Sequence, residues 1–109
     1  MMKMKKPLGA AKLTRKSQFR LPPKVLVLLN AEMGNYILYF LDKNEEVIMN
    51  TSGRKEKPIY SSKITQGLNV TISKNIRTIL AADIGDYLLF FKSEDSDVLI
   101  RAHVSLRRE

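Results

Sequence analysis

The sequence predicts one compact domain with a mostly β fold and two short helices. Three observations support this prediction. The chain of 109 residues contains two copies of one unit. Within each copy, apolar and polar residues alternate with the period of two that is typical of half-buried strands. Each copy also contains one short stretch with helical spacing of its apolar residues. A chain of this length suits one domain better than two.

The repeat is visible when the chain is displaced by 51 residues along itself. Residues 12–50 then align with residues 63–101 without a gap, and nine of the 39 columns are identical. The identical pairs are Lys12/Lys63, Thr14/Thr65, Leu29/Leu80, Ala31/Ala82, Gly34/Gly85, Tyr36/Tyr87, Leu38/Leu89, Phe40/Phe91 and Val47/Val98. Self-similarity of this extent predicts one supersecondary unit used twice. We therefore predict repeats at residues 11–50 and 62–101, joined by a polar linker at residues 51–58.

Each unit is predicted to begin with a hairpin and a short helix. Leu13, Phe19 and Leu21 alternate with polar residues, as expected for a hairpin with one buried face. The proline pair at residues 22–23 starts a helix in the first unit, because proline has a preset φ, and Ser73 caps the helix of the second. In both helices the apolar residues recur at the spacing that faces one side toward a core.

The second part of each unit is predicted to be a pair of strands. A turn around the glycine at residue 34 or 85 leads into buried or nearly buried strands at residues 36–41 and 87–92. Polar loops at residues 42–46 and 93–97 follow, and the last strands return at residues 47–49 and 98–100. One such unit is too small to bury its apolar faces alone, so the two are expected to share a core.

The charge of the chain is unevenly distributed. The net charge is +8 at pH 7, which favours a polyanionic partner. Residues 1–58 contain twelve basic and five acidic residues, whereas residues 59–109 contain seven basic and six acidic ones. No acidic residue precedes Glu32. The cationic surface is therefore expected mainly in the first half.

The first unit resembles the AbrB/SpoVT/MazE family of transition-state regulators. The similarity is carried by Lys12 to Pro22, which reads Lys-Leu-Thr-Arg-Lys-Ser-Gln-Phe-Arg-Leu-Pro, and by the Glu-Met-Gly-Asn turn after the helix. The Thr-Arg-Lys-x-Gln form is similar to archaeal members. The resemblance implies a swapped-hairpin β-barrel built from two interleaved copies. Here both copies are on one chain, as an intrachain pseudo-dimer of βαβ-type repeats. It also implies that a basic face of the barrel binds duplex DNA.

The residues predicted to bind DNA are cations at outward strand positions, in the hairpin turns and on the helices. They are Lys12, Arg15, Lys16, Arg20, Lys24, Lys63, Lys74 and Arg77. Lysine and arginine meet phosphates, and arginine also reads guanine. The alternative is a solvated polar face that serves solubility. The second unit is expected to bind more weakly, because the neutral Gln66, Asn69 and Thr71 stand at its outward hairpin positions.

The first helix is apolar nearly all round. Leu26 and Val27 stand where the second helix has Arg77 and Thr78. A helix of this kind is normally buried on more than one side, which predicts contact with a second copy of the chain or with another protein. Local packing under the linker or the N-terminal arm is the other interpretation. The alternative function is therefore a protein-interaction module, such as an antitoxin or adaptor.

The sequence contains little that indicates enzymatic chemistry. It has one histidine, no cysteine and no glycine-rich phosphate loop, so we predict neither an enzyme nor a bound metal or cofactor. No apolar run reaches the length of a membrane span, and a cytoplasmic, nucleoid-associated location is expected. The tyrosines and phenylalanines of the long strands are predicted to be core, which disfavours a stacking platform for RNA. They are Tyr36, Tyr39, Phe40, Tyr87, Phe90 and Phe91.

Overall fold

The computed structural model describes residues 6–94 and 96–103. The elements follow the predicted order in both repeats. They are β1 Gly9–Lys12, β2 Gln18–Arg20, α1 Pro23–Leu29, β3 Tyr36–Leu41, β4 Val47–Asn50, β5 Tyr60–Lys63, β6 Asn69–Thr71, α2 Lys74–Leu80, β7 Tyr87–Lys92 and β8 Val98–His103. β3 and β7 coincide with the predicted strands, and β4 and β8 continue beyond their predicted ends.

The strands form a curled half-barrel of six antiparallel strands and a separate two-stranded ribbon. The order in the larger sheet is β1-β7-β8-β4-β3-β5, and the ribbon consists of β2 and β6. The first strand of each repeat pairs with the third strand of the other repeat, β1 with β7 and β5 with β3. The ribbon and the central β4–β8 pair also join the two repeats. Strand pairing is therefore mostly between repeats.

The pairing registers of the two halves are equivalent. Lys12 lies opposite Tyr87, and its counterpart Lys63 lies opposite Tyr36. In the ribbon, Phe19 faces Val70, the residue 51 positions further along the chain. The central pair of strands behaves in the same way, since Ile48 faces Leu99. The sequence repeat is thus a structural repeat with the same contacts in both copies.

The core lies between the half-barrel, the ribbon and the two helices. The rings of Phe19, from the ribbon, and Phe90, from β7, have centroids 5.4 Å apart, and both side chains are fully buried. From the helices, α1 buries Val25 and Leu29 and α2 buries Ile76. Because the contributors come from both repeats, neither repeat has a complete core of its own.

The helices begin as the sequence predicts. Pro22 is the N-cap of α1 and offers no side-chain hydrogen bond, whereas the Ser73 hydroxyl accepts a hydrogen bond of 3.1 Å from the Ile76 amide at the start of α2. Both helices have seven residues, a length of about 10 Å. Neither they nor any other helix in the described ranges has the length and apolar character that crossing a membrane requires.

The turns after the helices are held by side-chain oxygens. The Glu32 amide donates to Asn35 Oδ1 at 2.9 Å, and the Asp83 amide donates to Asp86 Oδ2 at 2.8 Å. These two hydrogen bonds are 51 residues apart and close equivalent turns. The Asp86 carboxylate therefore has the same structural role in its turn as the Asn35 amide has in the first repeat.

Tyr39 is fully buried, and its hydroxyl donates to the Thr71 carbonyl at 3.3 Å. Burial, with a smaller effect of the neighbouring Tyr60, raises the pKa of Tyr39 well above its ordinary value of 10.0. In the unfolded chain the Tyr39 phenol ionises near its ordinary pKa, whereas in the folded chain it stays neutral to higher pH. The stability that buried, neutral Tyr39 contributes is therefore complete below pH 10 and is lost as the pH rises above 10. We expect the loss to be about 1.4 kcal/mol per pH unit above about pH 10.

The free energy of unfolding of the native protein and of Tyr39→Phe, measured by urea titration at about pH 9 and about pH 11, checks this expectation. The variant removes the hydroxyl at both pH values, so the difference between the two pH values is the informative quantity. We expect the variant to lose less stability on going to the higher pH. An equal loss in both proteins would contradict the expected titration.

Candidate nucleic-acid interface

The first hairpin turn, residues 14–17, lies against the second repeat. Leu13 exchanges backbone hydrogen bonds with the turn after α2, its amide donating to the Asp86 carbonyl at 2.8 Å and its carbonyl accepting from the Gly85 amide at 2.7 Å. At the other side of the turn, the Ile72 amide donates to the Ser17 carbonyl at 2.9 Å, just before α2 begins. The turn is therefore beside both ends of α2.

The second hairpin turn, residues 65–68, has the equivalent position on the first repeat. Ile64 exchanges hydrogen bonds of 2.8 Å with Gly34 and Asn35, which follow α1. The Leu21 amide donates to the Leu68 carbonyl at 3.0 Å, just before α1 begins. Each turn thus lies beside the helix of the other repeat, so side chains that are distant in sequence become neighbours.

This arrangement brings together cations from both repeats. We call the first hairpin turn, the end of β1 and α2 the cationic lobe, which carries Lys12, Arg15, Lys16, Lys74 and Arg77. The first four side chains are exposed and Arg77 is half-buried. Arg77 Nε is buried without a hydrogen-bond partner among the described residues. The cationic lobe thus groups five of the eight predicted DNA-binding residues on segments that backbone hydrogen bonds join between the repeats.

The ribbon adds Arg20 between the two hairpin turns. Phe19 and Val70 are buried, so their neighbours along each strand point to the opposite face. Arg20 is exposed on this outer face, opposite Asn69. The ribbon therefore presents one guanidinium beside neutral side chains.

A groove runs from β1 across the ribbon to the start of α1. Its volume is about 740 Å³, and Lys12, Arg20 and Lys24 are its cationic lining. Gly9 and Pro22 form part of its apolar floor, and a Cβ atom on Gly9 would lie 2.6 Å from Pro22 Cβ. Glycine is therefore required where β1 passes the entry to α1. The groove joins three predicted cations that lie on different elements.

None of the eight predicted cations is neutralised by a salt bridge among the described residues. The salt bridges in these residues are formed by Arg54, with Glu56 and Asp97, and by Arg101, with Glu46. A lysine or arginine without a carboxylate partner can meet a phosphate without first breaking an ion pair. The cations of the lobe, the ribbon and the groove are thus available to a polyanion.

We call the second hairpin turn, the end of β5 and α1 the apolar lobe. Its predicted cations are Lys24 and Lys63, both exposed. Val27 is 80% exposed and borders an apolar pocket of about 370 Å³ that also includes Leu8 and Leu28. Leu26 is half-buried and packs against the core. Of the two residues predicted to contact a partner, Val27 is available at the surface and Leu26 is used mainly in local packing.

The prediction that all six strand aromatics are core is wrong for two of them. Tyr36 is 54% exposed and Tyr87 is 48% exposed. Both are the first residue of their strand and belong to the outer face of the sheet, where strand alternation places every second residue. Tyr87 lies between Lys12 and His103 on neighbouring strands. The continuous apolar runs predicted buried or nearly buried strands, whereas the described residues leave the outer face of the sheet uncovered at the first residue of each strand.

The other basic residues near the termini are only partly described by the structure. Lys6 and His103 are exposed, and His103 is the last residue of β8. Four further basic residues of the sequence lie outside the described residues. They are Lys3, Lys5, Arg107 and Arg108.

Acidic side chains are concentrated in the loops at the other end of the long strands. Arg101 Nη2 donates to Glu46 Oε2 at 2.7 Å, a hydrogen bond that raises the pKa of Arg101. Arg54 Nη1 donates to Asp97 Oδ2 at 3.1 Å, and Asp97 is the counterpart of Glu46. In the described ranges no three potential ligand side chains form a metal site. Six strand residues, or about 20 Å, separate each loop from the turn that begins its own long strand.

Comparison with known proteins does not assign the chain to a family. No family model matches it, and no curated protein matches it. Among solved structures, it is similar to "The solution structure of PHS018 from pyrococcus horikoshii". The identity is 16%, the alignment covers 94% of this chain and 99% of that chain, and the TM-score is 0.46. A likeness this distant identifies neither a family nor a function.

Proposed function

We propose that the protein binds duplex DNA through the cationic lobe, the ribbon and the groove, and that it acts as a transcriptional regulator or chromatin-associated protein on the nucleoid. One observation carries the proposal. Arg15 and Lys16 of the first repeat share the cationic lobe with Lys74 and Arg77 of the second, and none of them is in a salt bridge among the described residues. Phosphate contacts supply most of the affinity of such surfaces.

The distribution of charge supports a defined orientation on a polyanion. The first hairpin turn and the ribbon carry Arg15, Lys16 and Arg20 and no carboxylate, whereas six of the eleven acidic residues lie in the loops at residues 42–46 and 93–97. The turn and the ribbon are therefore attracted to DNA, while these loops are repelled by it. Arg15 and Arg20 add planar donors that can read a guanine edge.

We further propose that the barrel is the swapped-hairpin arrangement of the AbrB/SpoVT/MazE family, with both copies on one chain. In support, β1 pairs with β7 and β5 pairs with β3 at equivalent registers. The ribbon crosses where Phe19 meets Val70, as expected for a two-fold relation between the repeats. Solving an experimental structure of the complex with DNA would test both the barrel and its DNA-binding face.

The DNA-binding proposal is tested by fluorescence anisotropy with labelled duplex DNA across a salt series. We expect the native protein to bind with a steep dependence on salt. In an Arg15→Ala, Lys16→Ala, Arg20→Ala variant, the log-log slope should decrease by about 0.9 for each phosphate that is no longer neutralised, or up to roughly 2.7 for three. The affinity should fall with it at every salt concentration.

A matched control removes the same charge elsewhere. Lys43, Lys55 and Lys57 are exposed and lie in the loop after β3 and in the linker. Substituting these three by alanine lowers the net charge equally but should leave most of the slope unchanged. An equal effect of both triple variants would mean that net charge alone, and not the assigned face, drives binding. Absence of binding in the native protein would exclude the proposed function.

The second candidate function is a protein-interaction module, such as an antitoxin or adaptor. It is favoured by the exposure of Val27 and by the apolar pocket beside it. This surface lies on the apolar lobe and adjoins the groove, since Leu8, Pro23 and Lys24 line both. If the native protein binds no DNA, Val27 is the place to look for a partner protein or a second copy of the chain.

A further inference from the structure

We infer that the protein binds DNA in one orientation on non-palindromic sites. This inference rests on the proposed DNA-binding function and concerns how the same face distinguishes the two directions along the duplex. It follows from the combination of equivalent backbones with unequal side chains in the two repeats.

The backbone by itself would suit a palindrome. Equivalent pairing registers relate the two repeats by an approximate two-fold rotation, since Phe19 meets its counterpart Val70 and Ile48 meets its counterpart Leu99. A protein with true two-fold symmetry presents the same side chains to both halves of a palindromic site. For such a protein the two orientations on the binding site are identical.

The side chains break this symmetry at the DNA-facing positions. Arg15 and Lys16 in the first hairpin turn correspond to Gln66 and Gly67 in the second. On the ribbon, Arg20 corresponds to Thr71. A rotated molecule would therefore place an amide, a hydroxyl or no side chain where the unrotated molecule places a cation.

The docking of each turn on the opposite repeat increases the difference between the two sides. The first hairpin turn adds its two cations to Lys74 and Arg77 of α2, whereas the second adds none to α1. At the positions of Lys74 and Arg77, α1 has Pro23 and Leu26. The docking of each hairpin turn on the opposite repeat therefore places more cations on the cationic lobe and leaves apolar side chains such as Val27 on the apolar lobe.

This inequality gives the two orientations different affinities on an asymmetric site. A bidentate contact between arginine and guanine discriminates roughly 5- to 150-fold against the wrong base. Reversal of the protein would separate Arg15 and Arg20 from their bases together. We therefore expect a single orientation to dominate on any site selected for tight binding.

The first part of the test selects binding sites from duplexes with a randomised central segment, using the full native chain. We expect the enriched sequence to be non-palindromic. The second part places a cutting reagent at one position. The chain has no cysteine, so Gln66→Cys provides a unique attachment point for an iron chelate on the exposed second hairpin turn.

On the selected duplex, the Gln66→Cys conjugate should cleave the DNA on one side of the site only. An Asn44→Cys conjugate is the matched control, because Asn44 is exposed in the acidic loop after β3, which belongs to neither lobe. It should cleave weakly or not at all. Anisotropy with the unconjugated Gln66→Cys variant measures the affinity of this variant, so that cleavage is recorded at a protein concentration that saturates the duplex.

The outcomes separate the inference from the function on which it rests. A non-palindromic consensus with cleavage on one side supports the inference. A palindromic consensus, equal cleavage on both sides, or salt-dependent binding without enrichment of any sequence overturns it and leaves DNA binding in place. If no duplex binds at all, the proposed function itself fails.

Discussion

Each repeat is expected to remain unfolded as a monomer when the chain is cut in the linker into residues 1–55 and 56–109. The first strand of each repeat has its pairing partner in the other, since β1 pairs with β7 and β5 pairs with β3. The ribbon is lost as well, because β2 and β6 belong to different fragments. Small domains are stable by only about 5–15 kcal/mol, so the loss of these pairings should remove the whole stability of an isolated fragment.

Circular dichroism and sedimentation of each fragment, alone and mixed, check this result. An equimolar mixture should regain the spectrum and the cooperative unfolding of the uncut chain. Folding that appears only at high concentration, with two copies of one fragment pairing, agrees with the same strand exchange. A fragment that unfolds cooperatively as a monomer would contradict it. The cut after Lys55 separates Arg54 from Glu56, which form a described salt bridge. Loss of this one ion pair lowers the free energy of unfolding only slightly.

Phe19→Ala is expected to cost about 3–5 kcal/mol, the usual loss when a buried phenylalanine is truncated. Phe19 is fully buried and contacts the ring of Phe90 in the other repeat. It also faces Val70 at the crossing of the ribbon. The substitution therefore creates a cavity at the junction of both repeats, where the surrounding strands are held by pairing and relax little.

The free energy of unfolding from urea titration measures this effect. Tyr36→Ala is the matched control, since it also truncates an aromatic side chain but one that is 54% exposed. We expect the control to lose about 1 kcal/mol or less, as is usual at the surface. Comparable losses in the two variants would mean that Phe19 does not have the central position described.

Local patterns in the amino-acid sequence were sufficient to predict the helices and strands. Continuous apolar runs between a glycine turn and a polar loop identified β3 and β7 with their observed ends, because a short apolar run bounded by turn signals is typical of a buried strand. Proline before α1 and serine before α2 marked the helix starts, because capping is a local interaction. The 51-residue repeat, read directly from the residues, predicted two units with equivalent structure.

Prediction of the candidate site was less complete, because it depends on contacts between distant residues. The cations were recognised one repeat at a time, and the second repeat was expected to contribute weakly. No periodicity indicates that residues 14–17 lie beside Lys74 and Arg77, since this proximity results from hydrogen bonds between repeats.

Which side chains are covered depends on the tertiary structure. The apolar runs of β3 and β7 predicted buried or nearly buried strands, but no layer among the described residues covers the ends where Tyr36 and Tyr87 lie, so both side chains are exposed. Leu26 and Val27 are adjacent on one apolar helix, yet Leu26 packs against the core and Val27 is exposed at the surface. A local pattern specifies the direction of a side chain relative to its strand or helix, whereas burial depends on what the rest of the chain packs against it.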